Sequence, residues 1–195
     1  PQGVFVVPRA RKTIIAPAWF RYRRGSHINV PVGLRAWLLD RASLTDRLKR
    51  ACDGEFRVQV MNEGWRRPRL DECRVLKMRP AAVGWVREVR LFCDDRPWVY
   101  ARTVIPARTL TGAQRRLAHL GNRPLGAWLF ANPRMQRDIV ELATISAGQA
   151  MFSNAVHGLD SEPATIWGRR SVFRVGGKPL LVTEVFLPEL GRYPD

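Results

Sequence analysis

Two apolar stretches of this sequence each carry one charged side chain at a position that a strand would bury. Alternate residues of a strand share a face, so Arg87 in residues 85–91 (WVREVRL) lies with apolar side chains. Glu184 in residues 180–187 (LLVTEVFL) has apolar neighbours in the same way. An arginine keeps its proton and a buried carboxylate needs a partner, so both require a polar environment inside the fold. Periodicity leaves two arrangements open: a direct ion pair, or one pocket with a cation at one end and an acid at the other.

Further segments have the alternating or apolar character of strands, and together they predict a sheet of six strands. The predicted strands are residues 56–60, 83–93, 98–105, 138–145, 166–175 and 180–187. Residues 94–97 and the pair Gly176-Gly177 predict tight turns, so consecutive strands form hairpins. The expected fold class is therefore α+β, a six-stranded antiparallel sheet with helices covering one face.

Helical spacing occurs before the strands and between them. Residues 34–38 place apolar side chains on one helical face, and Ser43 is positioned to cap a second short helix. Residues 109–130 predict a helix–turn–helix pair with Gly121 at the turn. Because this pair is inserted between strands, we interpret it as a flap over a buried site. Residues 146–163 are rich in small and polar side chains and predict an irregular segment.

The length of 195 residues fits a single domain. Residues 1–30 contain six basic residues and no acidic one, so we interpret them as a basic lead-in, in part disordered, before one domain over residues 31–195. No stretch has the length and apolar character of a membrane helix, and no secretory signal is evident. We expect a cytoplasmic monomer without a membrane span.

The net charge of +16 raises the question of a nucleic-acid partner. Outside the lead-in the excess is spread along the chain, and no zinc finger, RNP-type strand or basic heptad helix accompanies it, so we expect no such partner. The three cysteines form no CxxC pattern and the three histidines are scattered. These features predict reduced thiols and no metal site.

Three further arginines occur beside aromatic residues. Arg102 shares its strand face with Trp98 and Tyr100, so it either meets a second carboxylate or stacks on these rings. Arg169 and Arg170 are adjacent in a strand, which predicts that one of the two points away from the core and lies at the surface.

Five blocks of the chain, in the same order, resemble the bacterial chorismate lyases of ubiquinone biosynthesis. They are residues 85–88 (WVRE), 98–106 (WVYARTVIP), 120–130 (LGNRPLGAWLF), 167–171 (WGRRS) and 177–188 (GKPLLVTEVFLP). The resemblance extends over roughly residues 20–190. An ordered set of five blocks is more specific than any single short motif.

The resemblance implies the conversion of chorismate to 4-hydroxybenzoate and pyruvate, without a metal or an organic cofactor, in a buried site under helical flaps. It implies that Arg87 binds the ring carboxylate, that Glu184 meets the ring hydroxyl, and that Leu125 contributes a contact from the flap. Arg102 matches the arginine expected to meet the enolpyruvyl carboxylate. One departure is Leu44, at a position where the family commonly has methionine, and residues 146–163 exceed the length found in the shortest members.

Two other classes of function stay open at this point. Effector domains of some transcription regulators resemble this fold, so the chain could be a non-catalytic sensor of small carboxylates. Such domains normally follow an N-terminal winged helix, for which residues 1–30 are too short. The second class is a nucleic-acid binder that relies on the +16 charge. Turnover of chorismate separates a lyase from both.

Overall fold

The computed structural model describes residues 15–22 and 30–192, which form an α+β fold around one antiparallel sheet. The strands are β1 (Phe20–Arg21), β2 (Phe56–Arg66), β3 (Gly84–Cys93), β4 (Arg96–Pro106), β5 (Met135–Arg137), β6 (Glu141–Ser146), β7 (Thr165–Val175) and β8 (Lys178–Phe186). The α-helices are α1 (Val32–Leu39), α2 (Leu44–Ala51), α3 (Leu70–Leu76), α4 (Leu125–Phe130) and α5 (Phe152–Val156). Short 3₁₀ helices span Ala107–Thr109, Gly112–His119 and Pro188–Arg192.

The sheet has eight strands, so the predicted count of six is wrong. Its order is β1-β6-β7-β8-β4-β3-β2, and β5 pairs with β7 next to β6. All six predicted strands are present, although β2 has 11 residues rather than five. The two additional strands, β1 and β5, contain two and three residues, which is too short for an alternating pattern to reveal them.

Helices cover both faces of the sheet, which corrects the expectation that they cover one. The front face carries Arg87, Ala101 and Glu184, and α1, α2 and α4 pack against it. The back face carries Tyr100 and Arg102, and α3 and α5 pack against it. The predicted helices all belong to the front layer. The back layer, formed by α3 and α5, was not predicted, and α5 lies within the predicted irregular segment.

Local turn and capping signals that the sequence predicted are confirmed. The Ser43 hydroxyl accepts a hydrogen bond from the backbone N–H of Asp46 at 3.3 Å at the start of α2. Gly176 and Gly177 have φ values of +59° and +77°, the left-handed conformation that a two-residue hairpin between β7 and β8 requires. In the predicted helix–turn–helix, the first helix is 3₁₀ and the second is α4.

Part of the basic lead-in belongs to the sheet. Phe20 and Arg21 form β1 and pair with β6, and Ile15 forms a bridge with Gln149. The prediction that residues 1–30 are partly disordered stays a prediction, because residues 1–14 and 23–29 lie outside the described residues. Across the described ranges, no helix has the length and hydropathy to cross a membrane.

The expectation of three reduced thiols is wrong, because Cys52 and Cys93 form a disulfide. Cys52 is the C-cap residue that follows α2 and Cys93 is the last residue of β3, so the bond ties a front-face helix to the sheet. The two residues are 41 positions apart in sequence, and only the packing of α2 on β3 brings their Cα atoms to 5.6 Å. The third cysteine, Cys73, is free and buried.

The disulfide gives a prediction on stability. A cross-link that closes a loop of 41 residues restricts the unfolded chain, so reduction should lower the free energy of unfolding by about 2–4 kcal/mol. Urea unfolding with and without reductant measures this difference. A Cys52→Ser/Cys93→Ser variant is the control, because its stability should not respond to reductant. Three reactive thiols in the unfolded, unreduced protein, rather than one, would contradict the pairing.

Candidate functional site

A cavity lies between the front face of the sheet and the flaps formed by the start of α2 and by α4. The empty space between sheet and flaps, which includes the open mouth, is about 570 Å³. Most of the lining is apolar and comes from the sheet residues Val58, Val89, Leu91, Ala101, Phe173 and Val182 and from the flap residues Ala42, Leu44, Pro124, Leu125, Leu129 and Phe130. Four charged residues face this apolar lining: Arg87, Arg137, Arg169 and Glu184.

Arg87 projects from β3 into the cavity and is 3% exposed. Its Nη2 atom donates to the carbonyl oxygens of Gly121 at 2.7 Å and Arg123 at 3.3 Å, in the loop that leads to α4. The nearest carboxylate oxygen belongs to Glu63, 3.8 Å from Nε and partly exposed, and Nε has no hydrogen-bond partner among the described residues. Burial, only partly offset by Glu63, lowers the pKa of this guanidinium. Arg87 is therefore a buried cation whose Nε–H group is available to donate a hydrogen bond to a ligand.

Glu184 projects from β8 and forms an ion pair with Arg169 of β7, its direct neighbour across the strands. Arg169 Nε donates to Glu184 Oε2 at 2.5 Å, and Arg169 Nη1 donates to the carbonyl oxygens of Trp37 and Asp40 at 2.6 Å each. The guanidinium thus holds the carboxylate in one orientation and binds the end of α1 at the same time. The proposed direct pair between Arg87 and Glu184 is not formed, and both residues line one cavity.

Arg137 is the fourth charged residue of the lining, and it comes from the short strand β5. Its Nε donates to the hydroxyl of Ser171 at 3.1 Å, and its Nη1 donates to the carbonyl oxygens of Asp40 and Arg41 at 3.3 and 3.1 Å. Burial and the positive charge of Arg169 lower the pKa of Arg137 to about 10. The negative charge of Glu184 raises this pKa and offsets part of the effect. The spacing of residues 135–137 gave no signal for this side chain.

Two flaps close the cavity on the side away from the sheet. Leu125 begins α4, is 8% exposed and lines the cavity, as does Leu44 at the start of α2. Gly126 lets the two flaps approach each other, because a Cβ atom there would lie 2.9 Å from Thr45 Oγ1. The predicted flap therefore forms one half of the cover, and the helix that Ser43 caps forms the other half.

Arg102, the predicted partner of a second carboxylate, does not line the cavity but lies on the back face. Its Nε and Nη2 atoms form a fork on Glu72 of α3 at 2.7 and 3.0 Å, and Nη1 donates to Glu88 at 2.8 Å. Tyr100 donates to the same Glu88 oxygen at 2.6 Å. Burial acts to raise the pKa of Glu72 and of Glu88, but the bonds and charges of their partners outweigh it, so both pKa values are lowered. This network satisfies Arg102 without a ligand.

The expectation that Arg169 or Arg170 lies at the surface is also wrong. Arg169 is 1% exposed on the front face, and Arg170 is 7% exposed on the back face. Arg170 bonds Asp71 of α3 at 2.9 Å and Glu141 of β6 at 2.8 Å. Both side chains are buried because the sheet is covered on both sides, which an alternating pattern in one strand cannot show.

The cavity lining contains three arginines and one glutamate, so it carries two positive charges in excess. Arg169 is paired with Glu184, so the excess lies on Arg137 and on Arg87, whose more distant partner Glu63 is outside the lining. Such a lining suits a small apolar ring that bears two carboxylates and a hydroxyl. Within residues 15–22 and 30–192, no group of three or more His, Cys, Asp or Glu side chains could hold a metal ion.

The profile of a known protein family, chorismate lyase, matches residues 17–192. The chain belongs to the chorismate lyase family. It is 45% identical over 162 residues to a probable chorismate pyruvate-lyase of Methylococcus capsulatus, covering 83% of this chain and 99% of that protein. It is 44% identical over 154 residues to a probable chorismate pyruvate-lyase of Pseudomonas aeruginosa, covering 79% and 83%. The resemblance stated from the sequence blocks is thereby confirmed.

Solved structures of transcription regulators share the fold of this chorismate lyase family member. A GntR-family regulator from Bacillus cereus superposes with a TM-score of 0.53 at 9% identity, covering 73% of this chain and 98% of that one. The C-terminal domain of a histidine utilization repressor from Pseudomonas syringae gives 0.51 at 12% identity, covering 72% and 97%. At such low identity, the likeness extends to the fold alone.

The back-face network predicts a specific acid sensitivity. Because the folded-state pKa values of Glu72 and Glu88 lie below 4.5, their stabilisation is complete above pH 4.5 and is lost as the pH falls through the lowered values. Glu72→Gln should cost about 3–5 kcal/mol at pH 7 because it leaves Arg102 underpaired, and this difference should shrink in acid. Unfolding free energies from pH 7 to pH 3 check the trend, with the exposed Glu55→Gln as control. A difference that stays constant with pH would refute the assignment.

Proposed function

We propose that this protein converts chorismate to 4-hydroxybenzoate and pyruvate, the step that supplies the aromatic ring for ubiquinone. The observation that carries the proposal is a covered apolar cavity with an arginine at one end and an arginine-held glutamate further along the sheet, in a member of the chorismate lyase family.

In this proposal Arg87 binds the ring carboxylate. Its guanidinium is buried and already tied to the flap loop by two carbonyl bonds, while Nε is without a hydrogen bond among the described residues. A substrate carboxylate would supply the charge that the site lacks, and the bound state would also draw the loop before α4 against the sheet. Leu125 then packs on the ring from above.

Glu184 orients the hydroxyl-bearing carbon. Arg169 occupies Oε2 of this carboxylate, which leaves Oε1 as the acceptor for the substrate hydroxyl. The bond between ring C3 and the ether oxygen breaks, C4 loses its hydrogen as a proton, and the departing enolpyruvate gains a proton to become pyruvate. The ring becomes aromatic in the process, so the driving force lies in the substrate. The protein supplies orientation, exclusion of water and compensation of charge on the leaving oxygen.

The proposal predicts that Arg87→Ala and Glu184→Gln each lower kcat/KM for chorismate. Loss of a charge-assisted hydrogen bond in a buried site should cost on the order of 10- to 100-fold in kcat/KM. Pyruvate release and the absorbance of 4-hydroxybenzoate measure turnover. Arg79→Ala is the control, since this arginine is exposed and outside the cavity.

Binding without turnover separates the lyase from a sensor of the same fold. An unaltered protein that binds 4-hydroxybenzoate but releases no pyruvate from chorismate would contradict the lyase proposal and favour the sensor. Full activity in Arg87→Ala would instead show that Arg87 does not bind the substrate, and it would not contradict the lyase activity itself.

A further inference from the structure

Arg137 is a cation of the cavity that the roles above do not use. Its hydrogen bonds, as far as the described residues extend, go to neutral acceptors, namely the Ser171 hydroxyl and the carbonyl oxygens of Asp40 and Arg41. Its guanidinium stacks on Phe173, 5.1 Å from the ring centroid, in the cavity wall. The three hydrogen bonds use Nε and Nη1, so Nη2 remains a donor for a ligand of the cavity that Arg137 lines.

The sheet register places Arg137 and Arg87 at opposite ends of the cavity floor. Arg87 pairs with Thr103, Thr103 with Val182, and Val182 with Ser171, whose hydroxyl Arg137 contacts. Three strand spacings separate Arg87 from Ser171, about 14 Å between backbones. The side chain of Arg87 fills part of this distance, and the remainder suits a six-membered ring with substituents.

The two other arginines that could meet a second carboxylate of the ligand, Arg169 and Arg102, already have hydrogen-bond partners within the protein. Arg169 bonds Glu184 and two carbonyl oxygens, and Arg102 lies on the back face between Glu72 and Glu88. Arg137 lies beyond Glu184 as seen from Arg87, because β5 follows β7 in the sheet. In chorismate the enolpyruvyl ether is attached to the carbon next to the hydroxyl-bearing one, so its carboxylate extends past the residue that meets the hydroxyl.

We infer that Arg137 binds the enolpyruvyl carboxylate of the substrate, the role that the family resemblance suggested for Arg102. This inference rests on the proposed conversion of chorismate. It makes Arg137 selective for substrate over product, because 4-hydroxybenzoate has no second carboxylate, whereas Arg87 binds the carboxylate that both molecules share.

The test compares Arg137→Met with the unaltered protein for two ligands. Chorismate kinetics are followed by pyruvate release, and 4-hydroxybenzoate affinity is measured by titration calorimetry. We expect kcat/KM for chorismate to fall roughly 10- to 100-fold, mainly through KM, while the affinity for 4-hydroxybenzoate stays the same. Arg137→Lys should recover part of the loss, and Arg134→Met, an exposed arginine of the same segment, should behave as the unaltered protein.

The results distinguish a substrate-binding Arg137 from one that serves the fold alone. If Arg137 only ties down the loop at Asp40 and Arg41, Arg137→Met should weaken both ligands together and lower the melting temperature, which would overturn the inference. Unchanged chorismate kinetics would overturn it as well and leave the lyase proposal intact. No pyruvate release from the unaltered protein would overturn both. Should Arg137→Met fail to fold, Arg137→Lys decides, with a raised KM and unchanged product affinity as the expected result.

Discussion

Burial of arginine on both faces of one sheet is the constraint on which this structure depends. A guanidinium stays charged, so every buried one must be given acceptors or a counter-charge. On the back face the protein supplies both: Arg102 and Arg170 each bond two carboxylates, and Arg90 donates to carbonyl oxygens at the end of α5. Burying such pairs adds little net stability, but it fixes where α3 and α5 dock, since a shifted helix would leave a charge unpaired.

The front face differs in that its carboxylates are too few for its arginines. Arg169 forms an ion pair with Glu184, whereas Arg87 and Arg137 donate their hydrogen bonds mainly to backbone carbonyl oxygens. These carbonyl oxygens belong to the segments before α2 and α4, the two flaps. The same cations therefore hold the cover in place and keep charge available for a ligand. A dianion in the cavity would therefore meet the same guanidinium groups that hold the segments before α2 and α4.

Much of the front layer could be predicted from sequence because its signals are local. The faces of Arg87 and Glu184, the Ser43 cap and the Gly176-Gly177 turn each depend on a few adjacent residues. What was missed depends on distant contacts. A bulge at Met61 shifts the register of β2 on β3 and so turns Glu63 towards Arg87, and a strand of three residues brings Arg137 to the cavity. The disulfide, the back-face helices and the burial of both Arg169 and Arg170 likewise arise only when separate segments pack.

Arg102 belongs to a block that matches the family, yet it lies on the face of the sheet away from the cavity. Residues 101–103 alternate between the faces, so Ala101 and Thr103 line the cavity while Arg102 bonds Glu72 and Glu88 behind it. Glu88 is in turn the sequence neighbour of Arg87 and pairs across the strands with Arg102. The two blocks WVRE and ARTVIP thus contribute to both faces of the sheet: Arg87, Ala101 and Thr103 line the cavity, and on the back face the ion pair between Glu88 and Arg102 joins β3 to β4. Membership of a matched block therefore does not bring Arg102 to the cavity, because the side chains of this strand alternate between the two faces.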